Sequence, residues 1–270
     1  MPVTKKSELA NGHGSTAVLA PDAKRMILSA IRKSEKSETE KVVLYAPEGW
    51  GKTTWAAQAP DAVFLSAEDG LKSVTVDVFP EPHKWEEVLD CVESLRAGDH
   101  GYQTLVVDSA DWIEALCHAY ILRTSGKNSI TEVGGGFGKG FVVAFEEFKR
   151  IIQVIDHLRR EKKMNIVFLA HSTVKTFNNP QGDNFERWEL KLDTRVSALL
   201  KEWADDVLFG TYDIAVDKEK GQKGKGYGGE RIIHTSHTAA YDAKNRNNLP
   251  DPMAVSAAEF WNIVKGGEKS

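Results

Sequence analysis

The chain is poor in the features that hold secreted and membrane-bound proteins together. Cysteine is scarce: Cys91 and Cys117 are the two among 270 residues, each in a helix-like stretch and neither in a CxxC pair. That excludes a disulfide framework and a cysteine-based metal site, and two reduced thiols in a cytosolic protein are expected. No run of about 18 apolar residues occurs, so no membrane-spanning helix is expected. Met1–Ala20 carries two early lysines but no apolar stretch of signal-peptide length, which argues against secretion. Strong charge of one sign is missing too. A net charge of −4 rules out a surface coated in basic residues, yet leaves room for a local basic stripe.

What is present suits a soluble globular protein with one large core. A tail without periodicity is expected over residues 1–20, a core over 21–264 and a frayed end over 265–270. Within that core, residues 21–40 hold an N-terminal helix or arm. Met26, Ile27, Ala30 and Ile31 share one face of a helix over Pro21–Lys33, which either packs on its own domain or docks on a neighbouring subunit. From Lys41 onward, short apolar runs alternate with helical patterns. Strands are expected at Val42–Ala46, Ala62–Ser66, Thr104–Val107 and Ile166–Ala170, and helices at Thr53–Ala59, Lys84–Leu95, Ala110–Arg123 and Phe141–Arg160. This order implies an α/β fold with a doubly wound, mostly parallel sheet. Asp206–Val216 and Arg231–Thr235 flank a Lys/Gly-rich turn, Lys218–Gly229, so the sheet is expected to end in an antiparallel hairpin. A helix over Ser256–Val264 follows.

The first strand runs into Ala46-Pro47-Glu48-Gly49-Trp50-Gly51-Lys52-Thr53-Thr54, a P-loop in which Ala46 replaces the first glycine of GxxxxGK[ST]. Gly49 and Gly51 allow backbone N–H groups to curl around phosphates, and the following helix points its positive end at them. Lys52 is then expected on the β- and γ-phosphates of ATP and the Thr53 hydroxyl on Mg²⁺. A second acidic requirement is met by Asp108, which closes the strand Thr104-Leu-Val-Val-Asp108 at the sheet edge where doubly wound folds bind ligands. Glu68 lies just beyond the strand that follows the P-loop helix. It is either a general base for a water in line with the γ-phosphate or a solvated capping residue beside the Asp69-Gly70 turn.

The chain resembles the RecA family of P-loop NTPases over roughly Lys41 to Leu249. The P-loop with its Pro-Glu and second threonine carries the likeness, as do Ser66-Ala-Glu-Asp-Gly-Leu71, Val106-Val-Asp-Ser109 and Ile166-Val-Phe-Leu-Ala-His171. The resemblance implies that Glu68 is the catalytic glutamate and Asp108 the Walker B aspartate. It also implies that His171 stands where the family has a γ-phosphate sensor, usually glutamine. Ala243-Lys-Asn-Arg246 is similar to the family's basic–x–basic pair, which implies that Lys244 and Arg246 reach a neighbouring subunit's γ-phosphate; the other reading is a solvated basic turn. Among RecA-like proteins the chain is most similar to core-only bacteriophage ATPases, including Sak-type single-strand annealing and AAA-type nucleotide-binding proteins.

That resemblance also implies DNA contacts in two mobile loops. The first, Ser125–Gly140, contains Phe137 and Lys139 within a glycine-rich run, and basic residues outnumber acidic ones between Arg123 and Lys163. The second, Ser172–Arg187, carries Lys175, Phe177, Phe185 and Arg187. Cations with interleaved aromatics suit single strands, where phosphates are neutralised while bases stack. The expectation is therefore a phage-encoded, cytoplasmic, ATP- and Mg²⁺-dependent recombination ATPase. Its partners are single-stranded DNA, copies of itself in a ring or filament, and a single-strand-binding protein. The competing expectations are a helicase loader or replication accessory ATPase, a small-molecule phosphotransferase, and a nucleotide-gated binding module that does not hydrolyse.

Overall fold

The computed structural model describes residues 29–33, 37–68, 70–217 and 225–266. The expected 1–20 tail, most of the Pro21–Lys33 helix, residues 218–224 of the Lys/Gly-rich turn and residues 267–270 lie outside the described residues. The chain divides into two units, residues 1–37 and 38–270. In the first, Ser29 alone among the described residues is helical.

The second unit is built on a sheet whose main path runs β10-β8-β7-β1-β5-β4-β2-β3. Its strands are β1 Lys41–Ala46, β2 Ala62–Ser66, β3 Asp77–Val78, β4 Thr104–Asp108, β5 Asn165–Phe177, β6 Phe185–Leu190, β7 Asp206–Asp217, β8 Lys225–His234, β9 Lys244–Asn245 and β10 Met253–Ala254. β3, β2, β4, β5, β1 and β7 are mutually parallel, whereas β8 and β9 pair antiparallel with β7 and β10 antiparallel with β8. One strand, β5, separates the P-loop strand from the strand that ends in Asp108. This is the expected mostly parallel α/β sheet with a C-terminal antiparallel hairpin. The helices are α1 Lys52–Ala56, α2 Trp85–Ala97, α3 Ala110–Ser125, α4 Lys139–Lys162, α5 Thr194–Trp203 and α6 Ala257–Val264. Among the described residues no helix is long and apolar enough to cross a membrane.

The central strands are continuous apolar runs because both their faces are covered. Val43 and Tyr45 of β1 face one core with Leu105, Val107, Ile166 and Phe168, beneath α2 to α5. Val42, Leu44 and Ala46 face the other with Val106, Val167 and Leu169, against Trp55, Phe260 and Trp261 of α1 and α6. Trp50, Trp55, Trp85 and Phe148 are among the fully buried side chains, and each such burial contributes roughly 1.5–3 kcal/mol or more.

Two expected mobile loops are folded. β5 continues past Ala170 and turns back into β6, so Ser172–Arg187 is mostly a hairpin. The pairs Val174↔Trp188 and Phe177↔Phe185 hold it, and the side chains of Asn178, Asn179 and Asn184 close its tip through hydrogen bonds. In the glycine-rich segment, Ile130 and Val133 bury against Ile121 and Ala144, so apolar packing outweighs the permissiveness of the glycines. Helix α5 was not anticipated, although Asp193 accepts from the Arg195 N–H at its start and Val196 and Leu200 form its buried stripe.

Candidate nucleotide site

The register of the parallel strands sets the site. Ala46 pairs with His171 across β1 and β5, and Ser66 pairs with Asp108 across β2 and β4, so the candidate groups share one carboxyl edge. Between β1 and α1, Gly49 and Gly51 hold φ values of +71° and +103°, the left-handed conformation that strains other residues. Ala46 needs no positive φ and lies fully buried in the apolar core, which explains why alanine serves at that position. α1 is shorter than the expected Thr53–Ala59 helix, passing into a turn after Ala56. Trp50 points away from the cleft: its indole is fully buried and Nε1 donates to Thr211 O at 2.7 Å. A Cβ on Gly210 would come within 2.8 Å of that indole, so glycine there lets β7 lie flush against the loop.

Lys52 Nζ donates to Ala46 O and Pro47 O, each at 3.3 Å, at the mouth of the loop. Burial draws its pKa below the usual lysine value, and Asp108, Asp111 and Glu68 pull it back up. Thr53 Oγ1 donates to Asp108 Oδ2 at 2.7 Å. Burial raises the Asp108 pKa, opposed by the Thr53 bond and by Lys52, and its Oδ1 is buried without a partner among the described residues. An unpartnered buried carboxylate oxygen beside a threonine hydroxyl fits a hard divalent cation. Among the described residues no cluster of three His, Cys, Asp or Glu side chains could hold a metal alone. Mg²⁺ would therefore depend on the Thr53 hydroxyl, phosphate oxygens and waters held by Asp108.

Glu68 stands half-buried on the same edge, its pKa raised first by burial and then by the Asp108 charge. His171 is fixed by Asp111, which neither the motifs nor the spacing had singled out. Asp111 Oδ2 lies 2.8 Å from Nδ1 of the ring, and Oδ1 accepts the His171 backbone N–H at 3.0 Å. Burial alone would raise the Asp111 pKa, but these bonds outweigh it and hold the carboxyl below its usual value. Gly51, Lys52, Thr53, Glu68 and His171 line one cavity of about 740 Å³, and Trp112 and Arg231, also unanticipated, complete its wall. Asp111 is the acidic residue in the first turn of α3, a signal any helix start can carry; Arg231 comes from β8, far away in sequence.

A family model described as an AAA domain matches residues 38–247, which include every residue of this cavity. The chain belongs to that AAA-domain family. It is thus an NTPase-family protein with a P-loop. Among solved structures, this AAA-domain chain is similar to a crystal structure of the RadB recombinase at 13% identity, with a TM-score of 0.37, covering 73% of this chain and 87% of that one. Among curated proteins no match is found.

The remaining expected site residues lie elsewhere. β9 pairs with the start of β7, which in turn aligns with Val42, so Lys244 and Arg246 sit at the amino edge of the AAA domain's sheet, opposite the P-loop. Lys244, expected to reach a neighbouring subunit's γ-phosphate or to lie in a solvated turn, has its ammonium donating to Lys201 O, Glu202 O and Ala204 O at the end of α5. Arg246 pairs with Asp205 at 2.9 Å but remains 58% exposed. Of the expected DNA contacts, Phe137 is fully exposed and Lys139 is exposed at the start of α4. Phe177 lies against Phe185, the rings tilted by 36° with centroids 5.1 Å apart, and Lys175 donates to Leu192 O at 3.1 Å. Arg187 departs from the expectation, being 8% exposed with its guanidinium on Asp242, so it braces the hairpin base.

Proposed function

We propose that this chain is a phage-type RecA-like ATPase that binds single-stranded DNA when loaded with ATP, supports annealing or strand exchange, and hydrolyses ATP between subunits. The observation that carries the reading is one cavity lined by the phosphate cradle, Glu68 and His171, with Asp108 bonded behind Thr53 and Asp111 behind His171. In this reading Lys52 and the N–H groups after Gly49 bind the β- and γ-phosphates of ATP. Mg²⁺, when bound, supplies charge neutralisation on the phosphate oxygens. Glu68 takes a proton from the attacking water, a task favoured by its raised pKa, which makes the carboxylate a stronger base. His171 reads the γ-phosphate, and Arg246 of a neighbouring copy offsets the charge that develops in transfer.

DNA contact rests on Phe137 and Lys139, and on the β5–β6 hairpin, which leaves the sheet at the nucleotide edge directly after His171. Binding of labelled single-stranded DNA with and without a non-hydrolysable ATP analogue, read beside particle size, tests the proposal. ATP-dependent binding with larger particles is expected. Absence of DNA affinity at moderate salt, together with a stable complex with a hexameric helicase, would favour the loader reading instead.

A further inference from the structure

Arg231 enters the nucleotide cavity from a direction that the P-loop and the catalytic carboxylates do not explain. It sits on β8, opposite Tyr212 of β7, and its Nη1 donates to the carbonyl of Trp50 at 3.1 Å. The approach is close: a Cβ on Gly51 would lie within van der Waals overlap of that nitrogen, so the guanidinium rests directly over the residue preceding Lys52. Among the described residues its one hydrogen bond is to a neutral acceptor, and no carboxylate pairs with it. Most of its N–H donors thus have no partner among the described residues, beside a loop shaped for phosphates.

The strand order fixes which part of a nucleotide this cation can meet. Glu68, Asp108 and His171 stand on β2, β4 and β5 or just beyond them, on one flank of β1, whereas Arg231 comes across β7 from the other flank. The γ-phosphate belongs to the flank of the catalytic carboxylates. We propose that Arg231 is a nucleotide-binding residue supplied by the same subunit, directed at the phosphates that ATP and ADP share. The assignment rests on the nucleotide-site reading above and gives the β7–β8 hairpin a part in it. Trp50 already ties that hairpin to the P-loop through Thr211, so Arg231 makes a second tie.

The test is equilibrium binding of fluorescent ATP and ADP analogues to the full chain and to Arg231→Gln and Arg231→Lys, with thermal melting as a folding control. Glutamine keeps a donor for the Trp50 carbonyl while removing the charge. A loop-bracing role alone would therefore leave Arg231→Gln close to wild type, which would overturn the proposal. The expected result is an affinity loss of about tenfold or more for both nucleotides in Arg231→Gln, partial recovery in Arg231→Lys, and a shallower salt dependence. A loss confined to ATP would place the guanidinium on the γ-phosphate and also overturn the assignment. If the wild-type chain binds neither nucleotide, the nucleotide-site reading itself fails, an outcome distinct from equal binding by wild type and variant.

Discussion

His171 and Asp111 are joined twice, through the ring and through the backbone, and the carboxylate fixes which ring nitrogen carries hydrogen. Asp111 is held below its usual pKa and so accepts only, which makes Nδ1 the donor. We expect His171→Gln, whose amide can donate to a phosphate without a carboxylate partner, to keep the preference for ATP over ADP, and His171→Ala to lose about fivefold of it or more. Equilibrium titration of both nucleotides with wild type and variants checks it, and an unchanged preference in His171→Ala would remove His171 from the sensing role.

Glu68→Gln should bind ATP at least as well as wild type and turn it over about a hundredfold more slowly or worse. Glu68 acts deprotonated, and burial with the Asp108 charge keeps its pKa above the usual glutamate value. Turnover should therefore fall on the acid side at a higher pH than an unperturbed carboxylate would give. Steady-state phosphate release across pH measures both effects.

Glu114 offers a prediction about stability. Both its oxygens accept the Asp193 N–H at 3.1 Å at the start of α5, and burial pushes its pKa up to about 7. The folded value exceeds the unfolded one, so its contribution is fully present below pH 4.5 and is lost as pH rises through about 7. Glu114→Gln keeps an acceptor without the charge. It should be more stable than wild type at pH 8, by about 1–3 kcal/mol in denaturant titration, and the two should converge near pH 4 to 5.

Lys244 and Arg246 should separate by phenotype. Removing the Lys244 ammonium leaves the last carbonyls of α5 unmet, so Lys244→Ala should lower stability by about 1 kcal/mol. Arg246→Ala should leave stability within about 0.5 kcal/mol, because its ion pair is exposed. If Arg246 completes a neighbour's cleft, that variant's turnover should drop at least about tenfold and stop rising with protein concentration.

The DNA candidates divide by burial. Phe137→Ala should weaken single-stranded DNA binding by about fivefold or more without changing the melting temperature, since the ring touches nothing it would leave exposed. Arg187→Ala should do the reverse: it strips Asp242 of a buried partner and loosens the hairpin base. Anisotropy and thermal melting on the same preparations distinguish the two.

The parts of this molecule written in local chemistry were legible without coordinates. The strands from Val42 to Ala170 are dense apolar runs, and the P-loop combines glycines, lysine and threonine at fixed spacing, so each declares itself within a few residues. What failed to show was decided by distant partners. Whether Lys244 is a free cation depends on where α5 ends, and Arg187 is claimed by Asp242, which lies far along the chain. Asp111 gains its meaning only once β5 lays His171 beside it. The glycine run before Gly140 suggested mobility because its composition is permissive, while Ile130 and Val133 quietly anchor it.

The separation of Arg246 from the P-loop by the full length of the parallel strands has a geometric consequence for assembly. A residue at the amino edge of one copy can serve a cleft at the carboxyl edge of another in two ways: in a two-fold pair of antiparallel copies, where each arginine meets the other's cleft, or in a head-to-tail series. The two-fold pair leaves nothing over. A head-to-tail series has a direction: one terminal copy presents an uncompleted cleft and the other an idle arginine, unless the series closes into a ring. In such a series, polarity along a bound strand would be inherited from the topology of a single subunit.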